Sequence, residues 1–332
     1  MNFVVQEMTS LRYFIPMIIE GNRQGIESSI YYNKNLKYNC PYKHIDNLNY
    51  LSKKYNFNLL KIDSLNKSKN ITFYVEGVGR EYGNDKAKNI TFTYQNDFDN
   101  ITANNKKMYF NYLENFDNVI FPSEYFANFH NTVSSKNLYL GSPKYDVKFN
   151  HDEICKKYNI TSKKNILVLF PKLRDANKID LKKIYTCIND LGYKIIVKTR
   201  GKDPVNHSFY RGDYYFEDTS WYPHCSMELM FISNAIINFG STSVKECVMM
   251  RKPLINFAIK PRNKRKTLPF LYEYEYCKNM PINFSEENFK KCLNDITNND
   301  FSKSFNIALK NHLFDYSSTK KIFEYFKEDI HV

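Results

Sequence analysis

The residues best suited to chemistry stand together at Gly240-Ser241-Thr242-Ser243. They follow the apolar run Ala235 to Phe239 and precede a short amphipathic stretch. Pro253 then opens a second apolar run, Leu254 to Phe257. That pattern reads as strand, tight loop, helix, strand. Small residues at such a loop leave backbone N–H groups free at the helix start, where the helix carries partial positive charge. The chemistry this suits is capture of a phosphate or diphosphate on an α/β sheet, which would make the site an enzyme's. The plainer reading is a strand–helix turn with hydroxyl caps.

Four cations fall at the predicted C-terminal ends of neighbouring strands: Lys172 and Arg174 after one, Lys198 and Arg200 at the end of the next. Arg can grip a diphosphate bidentately and Lys as a point charge. In a Lys-rich chain they can equally be solvated loop charges. Glu246 forms Ser-x-x-Glu with Ser243, the spacing of a capping box. Trp221 is the one tryptophan. Its face could stack on a nucleotide base, or the ring could plug a core edge. His224 could touch phosphate or sugar, or be solvated.

These groups need elements to hold them. Strand-type runs are Phe3-Val4-Val5, Ser29 to Tyr32, Ile71 to Val75, Ile90 to Tyr94, Asn118 to Phe121 and Asn137 to Leu140. Helical spacing covers Leu11 to Gln24, stopped by Gly25, and His44 to Tyr55. Ser123 reads as the cap of a further helix. The polar stretch Lys144 to Lys164 reads as a hinge. A second series follows: strands at Ile166 to Phe170, Tyr193 to Val197, Tyr214 to Phe216, Ala235 to Phe239 and Leu254 to Phe257. Helices are predicted at Asp180 to Leu191, capped by Asp180 and stopped by Gly192, and at Ser226 to Ser233. Three more close the chain, near Ser285 to Ile296, Phe301 to Leu313 and Ser317 to Phe326. Alternation of this kind implies right-handed crossovers and parallel sheets. The expected fold class is α/β, with two Rossmann-like domains and a site beyond the strand C-termini, in the cleft between them. The expected boundaries are 1–145, 146–314 and a C-terminal helix, 315–332, crossing back to the first domain.

The chain has 332 residues, 42% of them hydrophobic, which excludes global disorder and allows two cores. Its formal net charge is +13, which favours nucleic acid, anionic membrane or phosphorylated partners. The densest basic cluster is Lys260, Arg262, Lys264, Arg265 and Lys266. Seven cysteines, an odd number without a CxxC, point to neither a disulfide framework nor a zinc site. The N-terminus does not read as a signal peptide, and no apolar run is long enough to span a membrane. A cytoplasmic protein is expected, with peripheral membrane association open to it.

Several segments, in chain order, resemble the GT-B glycosyltransferase superfamily. Within it they are similar to capsule and teichoic-acid type transferases of the CDP-glycerol glycerophosphotransferase-like group, and to the non-hydrolysing UDP-GlcNAc 2-epimerases. Val119 to Glu124 resembles the strand–turn–helix that closes the first domain. Leu140 to Asp146 resembles the G-x-P-r-x-D at the domain crossing. Ile166 to Asp175, ILVLFPKLRD, resembles the first strand of the second domain with its loop. Ile195 to Pro204 stands where the group has a strand ending in a basic or His-containing loop. Glu228 to Pro253 resembles the donor-site block, and Phe314 to Ser318 the stretch opening the last helix.

The resemblance implies a metal-independent enzyme that moves a sugar from a nucleotide-sugar to a hydroxyl of a glycan, lipid-linked glycan or related polymer. It uses no cofactor. Gly240, Ser241, Thr242, Ser243, Arg200, Lys198, Arg174 and Lys172 would then meet the donor diphosphate. Glu246 would accept hydrogen bonds from the ribose, beside Trp221 and His224. An inverting enzyme needs a base for the acceptor hydroxyl. Glu76 is the candidate, because it ends a buried strand and precedes Gly77 and Gly79. Asp97 and Glu81 are rivals. Two departures stand out. Tyr94-Gln95-Asn96-Asp97 and Lys198-Thr199-Arg200-Gly201 occupy places where the teichoic-acid enzymes carry His, so phosphoglycerol transfer is not supported. The loop at 240–243 lacks the Gly-Gly and acidic pair of the epimerases. A DNA-base-modifying glycosyltransferase and an epimerase remain as alternatives.

Overall fold

The computed structural model describes residues 1–5, 7–33, 44–76, 79–93, 114–129, 134–200, 205, 207–218, 221–241, 243–257, 259, 271–312 and 317–330. The chain divides into two compact units. The first is Met1–Val147 with Asn311–Val332, and the second is Lys148–Lys310.

Seven strands build the sheet of the first unit: β1 (Asn2–Val5), β2 (Ser29–Tyr32), β3 (Asn58–Lys61), β4 (Thr72–Val75), β5 (Asn89–Phe92), β6 (Asn118–Ile120) and β7 (Asn137–Leu138). Their spatial order is β3-β2-β1-β4-β5-β6-β7, and each pair is parallel. The central strands are apolar on both faces, as a sheet covered on both sides requires. Phe3, Phe73 and Phe92 are buried and stack across β1, β4 and β5. The helix Leu11–Arg23 follows β1 with its apolar stripe buried, and Gly25, at φ +74°, turns the chain after it.

The C-terminal segment belongs to this first unit. Helix Ser318–Tyr325 begins on the Asp146 carboxylate, which accepts the N–H groups of Ser318 (3.2 Å) and Thr319. Phe326 then meets Phe73 edge-on at 6.1 Å, and Asp329 pairs with Lys88 at 2.7 Å.

The second unit repeats the plan with β8 (Asn165–Leu169), β9 (Lys194–Arg200), β10 (Tyr214–Asp218), β11 (Ala235–Asn238), β12 (Leu254–Phe257) and β13 (Cys277–Met280). The order is β10-β9-β8-β11-β12-β13, again parallel throughout. Helices Leu181–Asp190 and Glu286–Asn298 bury their apolar faces in one cluster with Ile166, Val168, Ile237 and Phe257. Asp180 caps the first of them by accepting the Lys183 N–H at 2.9 Å, and Ser285 caps the second through Asn288 at 3.2 Å.

Each sheet is therefore a doubly wound Rossmann-like sheet, as expected. Two strands were not anticipated, β3 and β13, and the last strand of the first sheet stops two residues short of the expected Leu140. The described cysteines, Cys155, Cys187, Cys225, Cys247, Cys277 and Cys292, are free thiols. Among the described residues no helix is long and apolar enough to cross a membrane.

Candidate functional site

Strand order fixes where a ligand can bind. In the second sheet β8 has β9 on one side and β11 on the other. The chain leaves these strands toward opposite faces, so a crevice opens beyond the C-termini of β8 and β11. The described residues that border it follow β8, at 170–172, and follow β11, at 239–241 and 243. The predicted diphosphate loop thus falls at the topological switch point of its sheet.

Gly240 has φ +66°. A side chain there would be strained by roughly 1–2 kcal/mol, although an added Cβ would meet nothing nearer than the Phe257 carbonyl at 4.0 Å. Beyond it, Ser241 Oγ donates to Ser243 Oγ at 3.2 Å and accepts the Ser243 N–H at 3.3 Å. Ser243 is already helical (φ −64°, ψ −4°), and its hydroxyl makes no cap bond. The capping-box reading of Ser243 and Glu246 is therefore not realised from the serine side. Glu246 lies in the first turn of helix Val244–Met249, 4% exposed. Thr242 lies outside the described residues.

The cations lie on or just beyond the neighbouring strands. Lys198 lies on β9, opposite Leu169 of β8 and Phe216 of β10, and is buried. Arg200 ends β9 in register with Asp218; its side chain is outside the described part. Lys172 is exposed, and its carbonyl accepts the N–H groups of Asp175 (2.7 Å) and Ala176 (3.0 Å) in the short helix Leu173–Ala176. Arg174 is exposed, with Nε 3.5 Å from the buried Asp175 carboxylate, which also holds Lys178 at 2.7 Å. The basic cluster Lys260 to Lys266 lies outside the described residues, as does Asp97.

Trp221 and His224 follow the edge strand β10 and are both buried, at 9% and 7%. Of the two readings of His224, the solvated one does not hold. Its carbonyl accepts the Met227 (2.9 Å) and Glu228 (3.2 Å) N–H groups, starting helix Cys225–Phe231. Glu228, in the stretch that resembles a donor-site block, is 4% exposed and binds Lys157 Nζ (2.9 and 2.7 Å) and the Tyr158 hydroxyl (2.5 Å). It joins two helices of the unit. Burial and the carboxylate push the Tyr158 hydroxyl well above its ordinary pKa, so it stays a donor.

In the first unit β1 lies between β2 and β4, which opens the corresponding crevice. Glu76 follows β4 there, with a left-handed backbone (φ +55°) and its N–H on the Phe92 carbonyl at 2.9 Å. Glu81 is exposed on the turn Arg80–Tyr82, which Gly79 enters at φ +89°. No metal-binding group of three or more His, Cys, Asp or Glu occurs among the described residues.

Sequence reasoning missed the polar residues beneath the loop: Asn238, Asn256, Asn279 and Tyr272. The three asparagines occupy one register across β11, β12 and β13, and Asn238 and Asn256 are fully buried, at 0% and 1%. A signal existed. Ile237-Asn238-Phe239 and Ile255-Asn256-Phe257 repeat the same triplet at the ends of two apolar runs. It was hidden by the general abundance of Asn in the chain.

Two doubly wound sheets with this strand order define the GT-B fold. Solved structures of that fold match nearly the whole chain. The wall teichoic acid polymerase TagF, soaked with CDPG, aligns with 99% of this chain and 88% of its own at 14% identity, TM-score 0.66. The UDP-GlcNAc 2-epimerase of Methanocaldococcus jannaschii, in complex with UDP-GlcNAc and UDP, aligns over 98% of each chain at 12% identity, TM-score 0.60. A glycotransferase of kitacinnamycin aligns with 99% of this chain and 98% of its own at 9% identity, TM-score 0.60. Comparison with protein-family models and with curated proteins gives no match.

Proposed function

We propose that this protein is a glycosyltransferase that moves a sugar from a nucleotide-sugar to a hydroxyl of a glycan, lipid-linked glycan or related polymer. One observation carries the reading: the loop 240–243 is at the switch point of the second sheet, and the next strands along the sheet's C-terminal edge carry Lys172 and Arg174, then Lys198 and Arg200. The leaving diphosphate develops negative charge as the glycosidic bond breaks. Loop N–H groups, serine and threonine hydroxyls and guanidinium groups aimed there stabilise that charge more than the ground state. In this role Gly240, Ser241, Thr242, Ser243, Arg200, Lys198, Arg174 and Lys172 hold the diphosphate, without a metal ion or cofactor. Glu246, Trp221 and His224 serve the nucleoside. Glu76, at the first sheet's switch point, takes the proton from the acceptor hydroxyl. The relatives soaked with CDPG or bound to UDP-GlcNAc support a nucleotide-sugar donor. The net charge of +13 suits an acceptor held at an anionic membrane or carrying phosphate.

The test is a thermal-shift panel of UDP, GDP, CDP, CMP, dTDP and ADP in the presence of EDTA. A ligand at about 100 times its dissociation constant adds roughly 2.7 kcal/mol to the folded state. One nucleotide should raise the melting temperature, and Arg200→Ala should remove the rise. A flat response to all six sinks the proposal. Epimerisation of a nucleotide-sugar, with no net release of nucleoside diphosphate in the presence of an acceptor, would instead favour the epimerase reading. Tight, steeply salt-dependent binding to DNA would favour the DNA-modifying one.

A further inference from the structure

Beneath the loop the polar side chains close a circuit. The Gly240 N–H donates to Asn256 Oδ1 at 3.0 Å. Asn256 Nδ2 donates to Asn279 Oδ1 at 3.0 Å, and Asn279 Nδ2 donates to the Tyr272 carbonyl at 2.6 Å. The Tyr272 hydroxyl then donates to the Ser241 carbonyl, back in the loop. Asn238 Nδ2 braces the inside of the ring, within 3.1 Å of Asn256 Oδ1, 3.2 Å of the Tyr272 hydroxyl and 3.4 Å of the Ser241 carbonyl.

The direction of the circuit is chemically fixed. A backbone N–H can only donate, so the Asn256 atom facing Gly240 is oxygen, and its amide nitrogen must face Asn279. The oxygen of Asn279 is then spent on Asn256, which turns its own nitrogen to Tyr272. The asparagine bonds are thus oriented in turn, and the Tyr272 hydroxyl donates because the Ser241 carbonyl can only accept. The ring holds the Gly240–Ser241 pair at its first N–H and its last C=O, which leaves the peptide between them little freedom to rotate. Asn238 and Asn256 are buried in the sheet interior, where apolar residues would pack more cheaply, and Asn279 continues their register, exposed, on the edge strand β13. Ordinary strand packing does not require them.

We infer that Asn256, Asn279 and Tyr272 are positioning residues that preset the Gly240–Ser241 peptide for an incoming phosphate. The inference rests on the diphosphate role proposed for that loop. Asn279 is the informative member, because its side chain reaches the loop only through Asn256 and Tyr272. Without the ring the loop must be ordered at the moment of binding, and that ordering weakens affinity.

The experiment measures the affinity of the whole protein for UDP, CDP, GDP and inorganic pyrophosphate by calorimetry. The proteins compared are the wild type, Asn279→Leu, Asn279→Asp, Tyr272→Phe and Ser285→Ala. Ser285 caps a helix of the same unit through the Asn288 N–H, outside the ring, so its loss tests mere destabilisation. Asn279→Leu and Tyr272→Phe should each weaken the best-binding probe about tenfold, the scale of one lost hydrogen bond. Asn279→Asp keeps the oxygen that receives Asn256 and should recover part of the loss. Ser285→Ala should bind as the wild type. Wild-type affinity in a folded Asn279→Leu protein overturns the ring alone, as does an equal loss in Ser285→Ala. No binding of any probe by the wild type overturns the ring and the diphosphate reading together.

Discussion

Lys252 shows how a single side chain can work against the fold that holds it. It follows helix Val244–Met249, with its ammonium 5.9 Å from the Phe231 ring centroid. Burial pushes its pKa below the ordinary lysine value of 10.5. The folded protein therefore binds the proton less tightly than the unfolded chain. Between the depressed value and 10.5 the unfolded chain holds more protons, so stability rises with pH across that window. Below the window the charged lysine costs stability in full. Lys252→Met keeps the stem's packing and removes the charge. It should raise the melting temperature at pH 7 by about 1–2 °C, and the gain should shrink as pH approaches 10.5. A constant gain from pH 7 to 10.5, followed by differential scanning fluorimetry, would assign the effect to packing instead. The same scale explains what the sequence concealed. Gly240 and Ser241 could be read as a loop from residue type alone. What holds them, Asn256 and Asn279, required knowing which strands are neighbours, because positions 256 and 279 come into register only in the sheet.

At the scale of elements, legibility followed burial. Strands covered on both faces, such as β8 and β11, are continuous apolar runs and stood out. The missed strands are sheet edges: β3 closes one side of the first sheet and β13 one side of the second. Three of the four β3 residues are exposed, and β13 places Lys278 and Asn279 side by side between the buried Cys277 and Met280. An edge strand has no need of a fully apolar run, so its sequence carries little signal. Helix Cys225–Phe231 was legible as a helix, but the role of its Glu228 was not. In sequence it opens the stretch that resembles a donor-site block; in the fold it ties this helix to helix His151–Tyr158 through Lys157 and Tyr158. Glu228→Ala would leave the Tyr158 hydroxyl without its acceptor in a buried setting. It should lower the unfolding free energy by about 2 kcal/mol. Denaturant titration measures that loss, and Glu228→Gln should restore part of it. If Glu228→Ala unfolds like the wild type but loses nucleotide binding, the residue belongs to the site.

At the scale of the whole molecule, the chain builds its first unit from both ends: residues 1–147 and 311–332 belong together, and 148–310 form the second. The Asp146 carboxylate is one fastening of the returning segment. It receives two helix-start N–H groups, from Ser318 and Thr319, where the helix is also electropositive. Removing it should therefore act on the first unit, whereas a nucleotide held as proposed by the 240–243 loop should act on the second. Two separate cores permit two separate melting transitions. Asp146→Ala should lower one transition in scanning calorimetry, by about 1–2 kcal/mol of unfolding free energy. Saturating nucleotide should raise the other, and the two changes should add without interacting. Because each perturbation is confined to one unit's hydrogen bonds, the pair also tests whether the units fold independently. If both perturbations move a single shared transition, the units unfold as one, and the fastening at Asp146 stabilises the second unit as well.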